Sequence, residues 1–139
     1  VRKSFEWIRD HEWTSSLTGW VPEILTPYRP NCEACTIADL IGVALKLNDM
    51  GVGDHWDTVD RWVRNQFFEQ QMYKPYLENN INFGGWNASA TGCDHGGSSA
   101  SCCTGNSTRV VYYIWEHILN YDNETMFTRY AYWSNKNYR

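Results

Sequence analysis

Apolar residues recur at helical spacing in three parts of the chain. The clearest pattern lies in residues 36–50, where the apolar positions follow an i, i+3, i+4, i+7, i+8 order: Ile37, Leu40, Ile41, Ala44 and Leu45. Thr36 and Asp39 resemble a capping box at its start, and Gly51 is a natural end. The pattern predicts an amphipathic helix with one face in a core.

Two more helices are predicted further along the chain. One runs from about Asp54 to Met72, before Pro75, with a shared inner face of Trp56, Val59, Val63 and Phe67. The other runs from about Ser107 to Leu119, with a stripe of Val110, Tyr113, Ile114, His117 and Ile118. Residues 1–13 also resemble the end of a helix, so the expected fold is all-α.

The segments between these helices are of two kinds. Prolines at positions 22, 27 and 30 exclude a continuous helix over residues 14–31. Residues 76–106 are rich in glycine, asparagine and serine, and they also contain Trp86, His95 and two adjacent cysteines. An irregular segment of this length inside a compact domain is usually functional or disordered, and the aromatic and ligand residues favour a structured functional loop.

The last part of the chain changes to an alternating pattern over residues 126–133, which predicts a β-strand. No second clear strand is predicted, so this strand is expected to lack a partner within the sequence. We therefore expect these 139 residues to be part of a larger chain.

Composition restricts the classes of function. Hydrophobic residues make up 42% and charged residues 20%, as in an ordinary globular domain. No apolar run is long enough for a transmembrane helix, and a formal net charge of −4 argues against electrostatic binding to nucleic acid. Neither a membrane nor a nucleic acid is an expected partner. The N-x-S/T sequons are interpreted as chance occurrences, which leaves the compartment open, with bacterial cytoplasm or periplasm favoured.

The cysteines indicate a metal site. They are five in number, which is odd for a disulfide-stapled domain, and two of them are adjacent: Cys32, Cys35, Cys93, Cys102 and Cys103. Adjacent cysteines rarely pair with each other because the geometry is strained. A thiolate–metal cluster is therefore favoured over disulfide bonds.

The ligand spacing suggests where the metal would lie. Glu33 and Cys35 form one ligand pair and Cys102 and Cys103 a second, each near a helix start, and Zn²⁺ accepts thiolate and carboxylate ligands. Helix N-termini carry partial positive charge, which is expected to lower the pKa of these thiols. The alternative is a purely structural zinc site in which Cys32 replaces Glu33.

The same residues carry a resemblance to a known family. The segments C-E-A-C at 32–35 and C-C-T-G-N-S-T-R at 102–109 resemble the signature of glycoside hydrolase family 127, the β-L-arabinofuranosidase-type enzymes with a zinc–cysteine active site. Glu33 and Cys35 match its Glu-x-Cys element. The second element, a Cys-Cys pair with Asn four and Arg seven residues after its first Cys, is matched by Cys102, Cys103, Asn106 and Arg109. The resemblance spans roughly residues 18–133.

The resemblance implies a fold. Residues 1–121 would be part of an (α/α)₆ barrel that carries the metal site, and residues 122–139 would begin a β-rich region. Such a barrel needs about twelve helices of 11–12 residues, far more than this chain provides, so the remainder of a larger chain is expected as its partner.

The resemblance also implies an activity. Glu33, Cys35, Cys102 and Cys103 would bind Zn²⁺, and Cys102 would be the nucleophile in retaining hydrolysis of a β-L-arabinofuranoside or a similar glycan. Glu23 is the candidate general acid/base, although Pro22 stands where the family has glycine, and a solvated loop carboxylate is its alternative role.

Other features leave the substrate and the function open. Thr104 and Gly105 stand where the family often has prolines, and Cys32 could compete with Glu33 for zinc. His95, Trp86 and Arg109 are candidate substrate-binding residues, with ordinary surface roles as the alternative for His95 and Arg109. Two other functions are compatible with the motifs: a non-catalytic zinc-stabilised helical module, and a family relative with altered or lost activity.

Overall fold

The protein is mostly helical, as predicted. The computed structural model describes residues 1–15, 17–23, 25, 33–72, 85–86, 101–122 and 125–128. The helices are α1 (Arg2–Arg9), α2 (Ala34–Asp49), α3 (Trp56–Trp62) and α4 (Ser101–Glu116), and the strands are β1 (Gln71–Met72), β2 (Gly85–Trp86), β3 (Leu119–Asp122) and β4 (Thr125–Thr128). After α3 the chain continues as a π-helix, Val63–Phe67, and a 3₁₀ turn, Phe68–Gln70. Among the described residues, no helix has both the length and the apolar character needed to cross a membrane.

Helix α2 forms the centre of the core. It packs against α4 and α3, and every residue of its predicted apolar stripe is buried. On the facing elements the predicted stripes are confirmed in part, with these residues buried: Val59, Val63, Phe67, Val110, Ile114 and Ile118. The other predicted members are half-buried: Trp56, Tyr113 and His117. Apolar burial on two sides of α2 therefore holds α3 and α4 in place.

Helices α2 and α4 run parallel to each other. At their starts the Sγ atoms of Cys35 and Cys103 are 3.2 Å apart. At their ends His117 Nε2 lies 2.8 Å from Asp49 Oδ1. Helix α3 begins beside the end of α2, where the His55 N–H donates to Asn48 Oδ1 at 2.8 Å, and packs back along α2. The parallel arrangement brings the N-terminal ends of α2 and α4 to one place.

Two predicted helix starts are wrong. Helix α2 begins at Ala34, so Thr36 and Asp39 lie inside it, and Glu33 occupies the N-cap position without capping through its side chain. Helix α4 begins at Ser101 rather than Ser107. Residues 101–105 are weak helix formers, but Cys103 is buried in the core, and this packing outweighs local propensity. The predicted end of α2 is confirmed, since Gly51 adopts a positive φ of 66°.

The strands also differ from the prediction. The second helical segment ends at Gln70, and Gln71–Met72 pairs with Gly85–Trp86 instead of continuing the helix. The predicted lone strand has a partner, because Leu119–Asp122 pairs antiparallel with Thr125–Thr128. This partner is only four residues long and follows closely after α4, so its alternation is too short to be recognised. Residues 129–133 lie outside the described part, and the division at residue 121 falls within β3 and stays a prediction.

The segment after α1 is held against the π-helix by Gln66. The Val21 N–H donates to Gln66 Oε1 at 2.7 Å, and Gln66 Nε2 donates to the Val21 carbonyl at 2.7 Å. Both residues are buried. Asn65 makes a similar but exposed bond, from Nδ2 to the Thr18 carbonyl at 2.7 Å. The buried pair of bonds anchors the backbone two residues before Glu23.

Candidate metal centre

The starts of α2 and α4 bring together the four residues predicted to bind metal. Glu33 is the N-cap residue of α2 and Cys35 lies in its first turn, while Cys102 and Cys103 lie in the first turn of α4. One ligand atom from each of the four lies within 4.8 Å of all the others. The side chain of Glu33 makes no capping bond, and its carboxylate instead accepts a hydrogen bond from Cys103 Sγ at 3.3 Å.

The spacing of the ligand atoms fits a tetrahedral ion. Cys103 Sγ lies 3.2 Å from Cys35 Sγ and 3.9 Å from Cys102 Sγ. In a tetrahedral zinc site with ordinary bond lengths, two sulfurs are about 3.8 Å apart, and a sulfur and a carboxylate oxygen about 3.6 Å apart. Cys35 Sγ and Cys103 Sγ are therefore about 0.6 Å too close, and no pair exceeds the ideal separation by more than about 1.2 Å, so shifts of up to about an ångström would place all four atoms around one ion. The cluster could hold a metal ion, and its three sulfurs with one carboxylate are a donor set that suits zinc.

Burial differs among the three thiols. Cys103 is buried, Cys35 is half-buried and Cys102 is exposed. Burial raises the pKa of the Cys103 thiol, and its hydrogen bonds with Cys35 and Glu33 raise it further. Burial is also the largest cause of the raised pKa of Cys35, and the negative charge of Glu33 adds to it. The predicted lowering of the thiol pKa is therefore wrong for these two residues, because burial raises it.

A polar network adjoins the cluster on the same two helices. Asn106 Nδ2 donates to the Cys35 carbonyl at 3.3 Å and to Asp39 Oδ1 at 2.9 Å. Arg109 donates to Asp39 Oδ1 at 3.1 Å and also to Asn106 Oδ1. Sequence reasoning matched Asn106 and Arg109 to a motif but missed their partner Asp39. The signal was present in the spacing, since Asp39 and Asn106 each lie about one turn beyond a ligand, at Cys35 and Cys103.

The structure describes only some of the remaining predicted site residues. Glu23 is half-buried, and the backbone of Trp86 lies in β2, which runs beside α4. Arg109 is exposed on α4 within the network just described. His95, Cys32 and Cys93 lie outside the described residues, so their roles stay predictions.

Comparison of the chain with protein-family models, with curated proteins and with solved structures gave no match. The site is therefore classified from its geometry alone. It is a thiol-rich centre of four potential metal ligands at the N-terminal ends of two parallel helices.

Proposed function

We propose that this chain carries the zinc site of a retaining glycoside hydrolase related to family 127, with Cys102 as its nucleophile. The observation that carries the proposal is the convergence of Glu33 and Cys35 with Cys102 and Cys103, whose ligand atoms lie within 4.8 Å of one another. The two pairs are far apart in the sequence, and the family resemblance independently implies the same ligand set.

The exposure of the thiols favours Cys102 as the nucleophile. A sugar must bring its anomeric carbon to the attacking sulfur, and Cys102 is exposed whereas Cys103 is buried. Cys103 lies in the hydrophobic core, where it can anchor the cluster but cannot readily meet a substrate. Of the two adjacent cysteines, Cys102 would therefore be the reactive ligand and Cys103 the anchoring ligand.

The reaction would follow the two-step course of a retaining glycosidase. The Cys102 thiolate attacks the anomeric carbon, the bond from that carbon to the leaving oxygen breaks, and a general acid gives that oxygen a proton. The same group then takes a proton from water, whose oxygen attacks the anomeric carbon and releases the Cys102 sulfur. Two inversions give overall retention. A bound zinc ion would keep the thiols deprotonated at neutral pH.

Glu23 is the proposed general acid/base. It is half-buried, and the buried bonds between Gln66 and Val21 anchor the backbone just before it. His95, Trp86 and Arg109 are proposed to contact the sugar. The proposed substrate is a β-L-arabinofuranoside or a similar glycan.

The helix arrangement is compatible with a barrel of helical hairpins. In such a barrel the inner helices run parallel, and each is joined to the next through an outer helix that returns. Helices α2 and α4 run parallel, and α3 packs back along α2 between them in the sequence. We propose that residues 1–121 belong to an (α/α)₆ barrel within a larger chain and that residues 122–139 begin its β-rich region.

One observation favours a second function, a non-catalytic helical module stabilised by zinc. Cys103 is fully buried within the hydrophobic core, as a ligand of a structural zinc site would be. In that case zinc binding would serve the packing of α2 against α4 and nothing else. A relative of the family with altered or lost activity would share the same geometry.

Cys102→Ser separates these functions. Within the larger chain that the barrel proposal requires, the zinc-loaded parent is expected to release nitrophenol from 4-nitrophenyl β-L-arabinofuranoside. Cys102→Ser is expected to abolish release while helical circular dichroism persists. Cys103→Ser is the comparison, since loss of the buried ligand should reduce both zinc content and thermal stability. Turnover by Cys102→Ser at the parent rate would contradict the nucleophile assignment. A parent that melts higher with zinc but turns over no furanoside would favour the structural module.

A further inference from the structure

We infer that Asn106 is a positioning residue of the metal centre: its side-chain amide holds the backbone of Cys35 against α4 and thereby sets the affinity for the ion. The inference rests on the metal-binding part of the proposed function and not on the hydrolytic part. It concerns the start of α2, where two ligands must be held at a fixed distance from two ligands on another helix.

The geometry of Asn106 is unusual because its amide bonds to both helices. Its Nδ2 group donates to the Cys35 carbonyl at 3.3 Å and to Asp39 Oδ1 at 2.9 Å, while its Oδ1 accepts from Arg109. Both amide hydrogens are thus used on α2, and the amide oxygen is fixed from α4. The amide can adopt one orientation only, because a flipped side chain would place its oxygen against the Cys35 carbonyl oxygen and Asp39.

The ion pair in this network is the less important part. The side chains of Arg109 and Asp39 are 52% and 64% exposed, and exposed ion pairs contribute little to stability. Asn106 is half-buried, and of the three side chains in this network it is the one with a hydrogen bond to Cys35, which supplies a ligand. Asp39 and Arg109 therefore orient the amide, and the amide orients Cys35.

Partners that orient a metal ligand typically change metal affinity by about 10–100-fold when they are replaced. Cys35 Sγ lies 3.2 Å from Cys103 Sγ, so a small rotation of the first turn of α2 would misplace it relative to the other three ligands. We expect Asn106→Ala to weaken zinc binding by a factor in that range.

The experiment measures zinc affinity by competition with a chromophoric chelator, together with the sulfur-to-metal absorption of the Co²⁺-loaded protein and thermal melting of the metal-free protein. The variants are Asn106→Ala, the exchanged pair Asp39→Asn with Asn106→Asp, and Thr108→Ala as a control. Thr108 is exposed on the same helix, and its hydroxyl donates to the Thr104 carbonyl within that helix. The exchanged pair can re-form the bond between the helices, but its carboxylate cannot donate to the Cys35 carbonyl.

The inference is supported if zinc binding is weakened and cobalt absorption is altered in both Asn106→Ala and the exchanged pair. The exchanged pair should recover the thermal stability that Asn106→Ala loses, and Thr108→Ala should behave as the parent. Parent-like zinc affinity in the exchanged pair would overturn it, because a mere tether between helices would then suffice. A parent that does not bind zinc would refute the proposed function and this inference with it. A parent that binds zinc but turns over no furanoside would refute only the hydrolytic activity.

Discussion

Replacing Gln66 with methionine should destabilise the fold strongly, because Gln66 is the only described side chain bonded to both polar groups of the Val21 backbone. Gln66 is 0% exposed and Val21 is 1% exposed, so water cannot replace the two 2.7 Å bonds. A buried polar group left without a partner costs about 1–3 kcal/mol, so the N–H and the carbonyl of Val21 together imply a loss of roughly 2–6 kcal/mol. Methionine is similar to glutamine in length and leaves no cavity of consequence.

Urea unfolding followed by circular dichroism gives the free energy of unfolding for the parent and each variant. The matched control is Asn65→Leu, which removes an amide bond to the same loop at the neighbouring position, from Nδ2 to the exposed Thr18. Because water can hydrate the freed Thr18 carbonyl, the control should change stability by no more than about 0.5 kcal/mol. Equal losses for Gln66→Met and Asn65→Leu would refute the argument that burial makes these bonds costly to remove.

Two further predictions concern the thiols. Since burial raises the pKa of both Cys35 and Cys103, zinc must displace their protons. The apparent zinc affinity should therefore increase by at least about 100-fold between roughly pH 6 and pH 7, and calorimetry in buffers of different ionisation enthalpy should detect the released protons. An affinity independent of pH would show that the thiols are already ionised. When metal is removed and the oxidant diamide is added, Cys35 and Cys103 should become joined by a disulfide, because their sulfurs are 3.2 Å apart and a disulfide between the adjacent cysteines would be strained. Peptide mapping that finds Cys102 joined to Cys103 would contradict this.

The parts of the fold that could be predicted are those determined by residues close together in the sequence. The apolar stripe of α2 and the end of this helix at Gly51 follow from spacing and from one glycine with positive φ. The start of α4 was not predictable, because residues 101–105 become helical only through the burial of Cys103 against other elements. The pairing of β3 with β4 was missed since four residues are too few to establish an alternation.

The candidate site shows the same division between local and distant information. Residue type and spacing reduced the ligands to two possible sets, which differ in whether Glu33 or Cys32 is the fourth member, because zinc binds thiols, imidazoles and carboxylates. The set with Glu33 was implied by the family resemblance. The bonds of Asn106 with Asp39 and with Cys35 depend on how α2 and α4 are placed side by side. The anchoring of Val21 by Gln66 likewise depends on the packing of a loop on a π-helix, for which the sequence has no local signal.

The parallel arrangement of α2 and α4 has a consequence for folding. Cys35 and Cys103 are 68 positions apart in the chain, so the site exists only after a long loop has been closed. An ion held by both residues would act as a cross-link. In the chain-entropy treatment, a cross-link over a loop of that length lowers the conformational entropy of the unfolded state, which stabilises the folded state by about 4 kcal/mol. Contacts between such distant residues also form slowly. During refolding, the packing of α2 against α4 and the binding of metal at the centre should therefore develop together. Bound metal should also slow the separation of the two helices during unfolding.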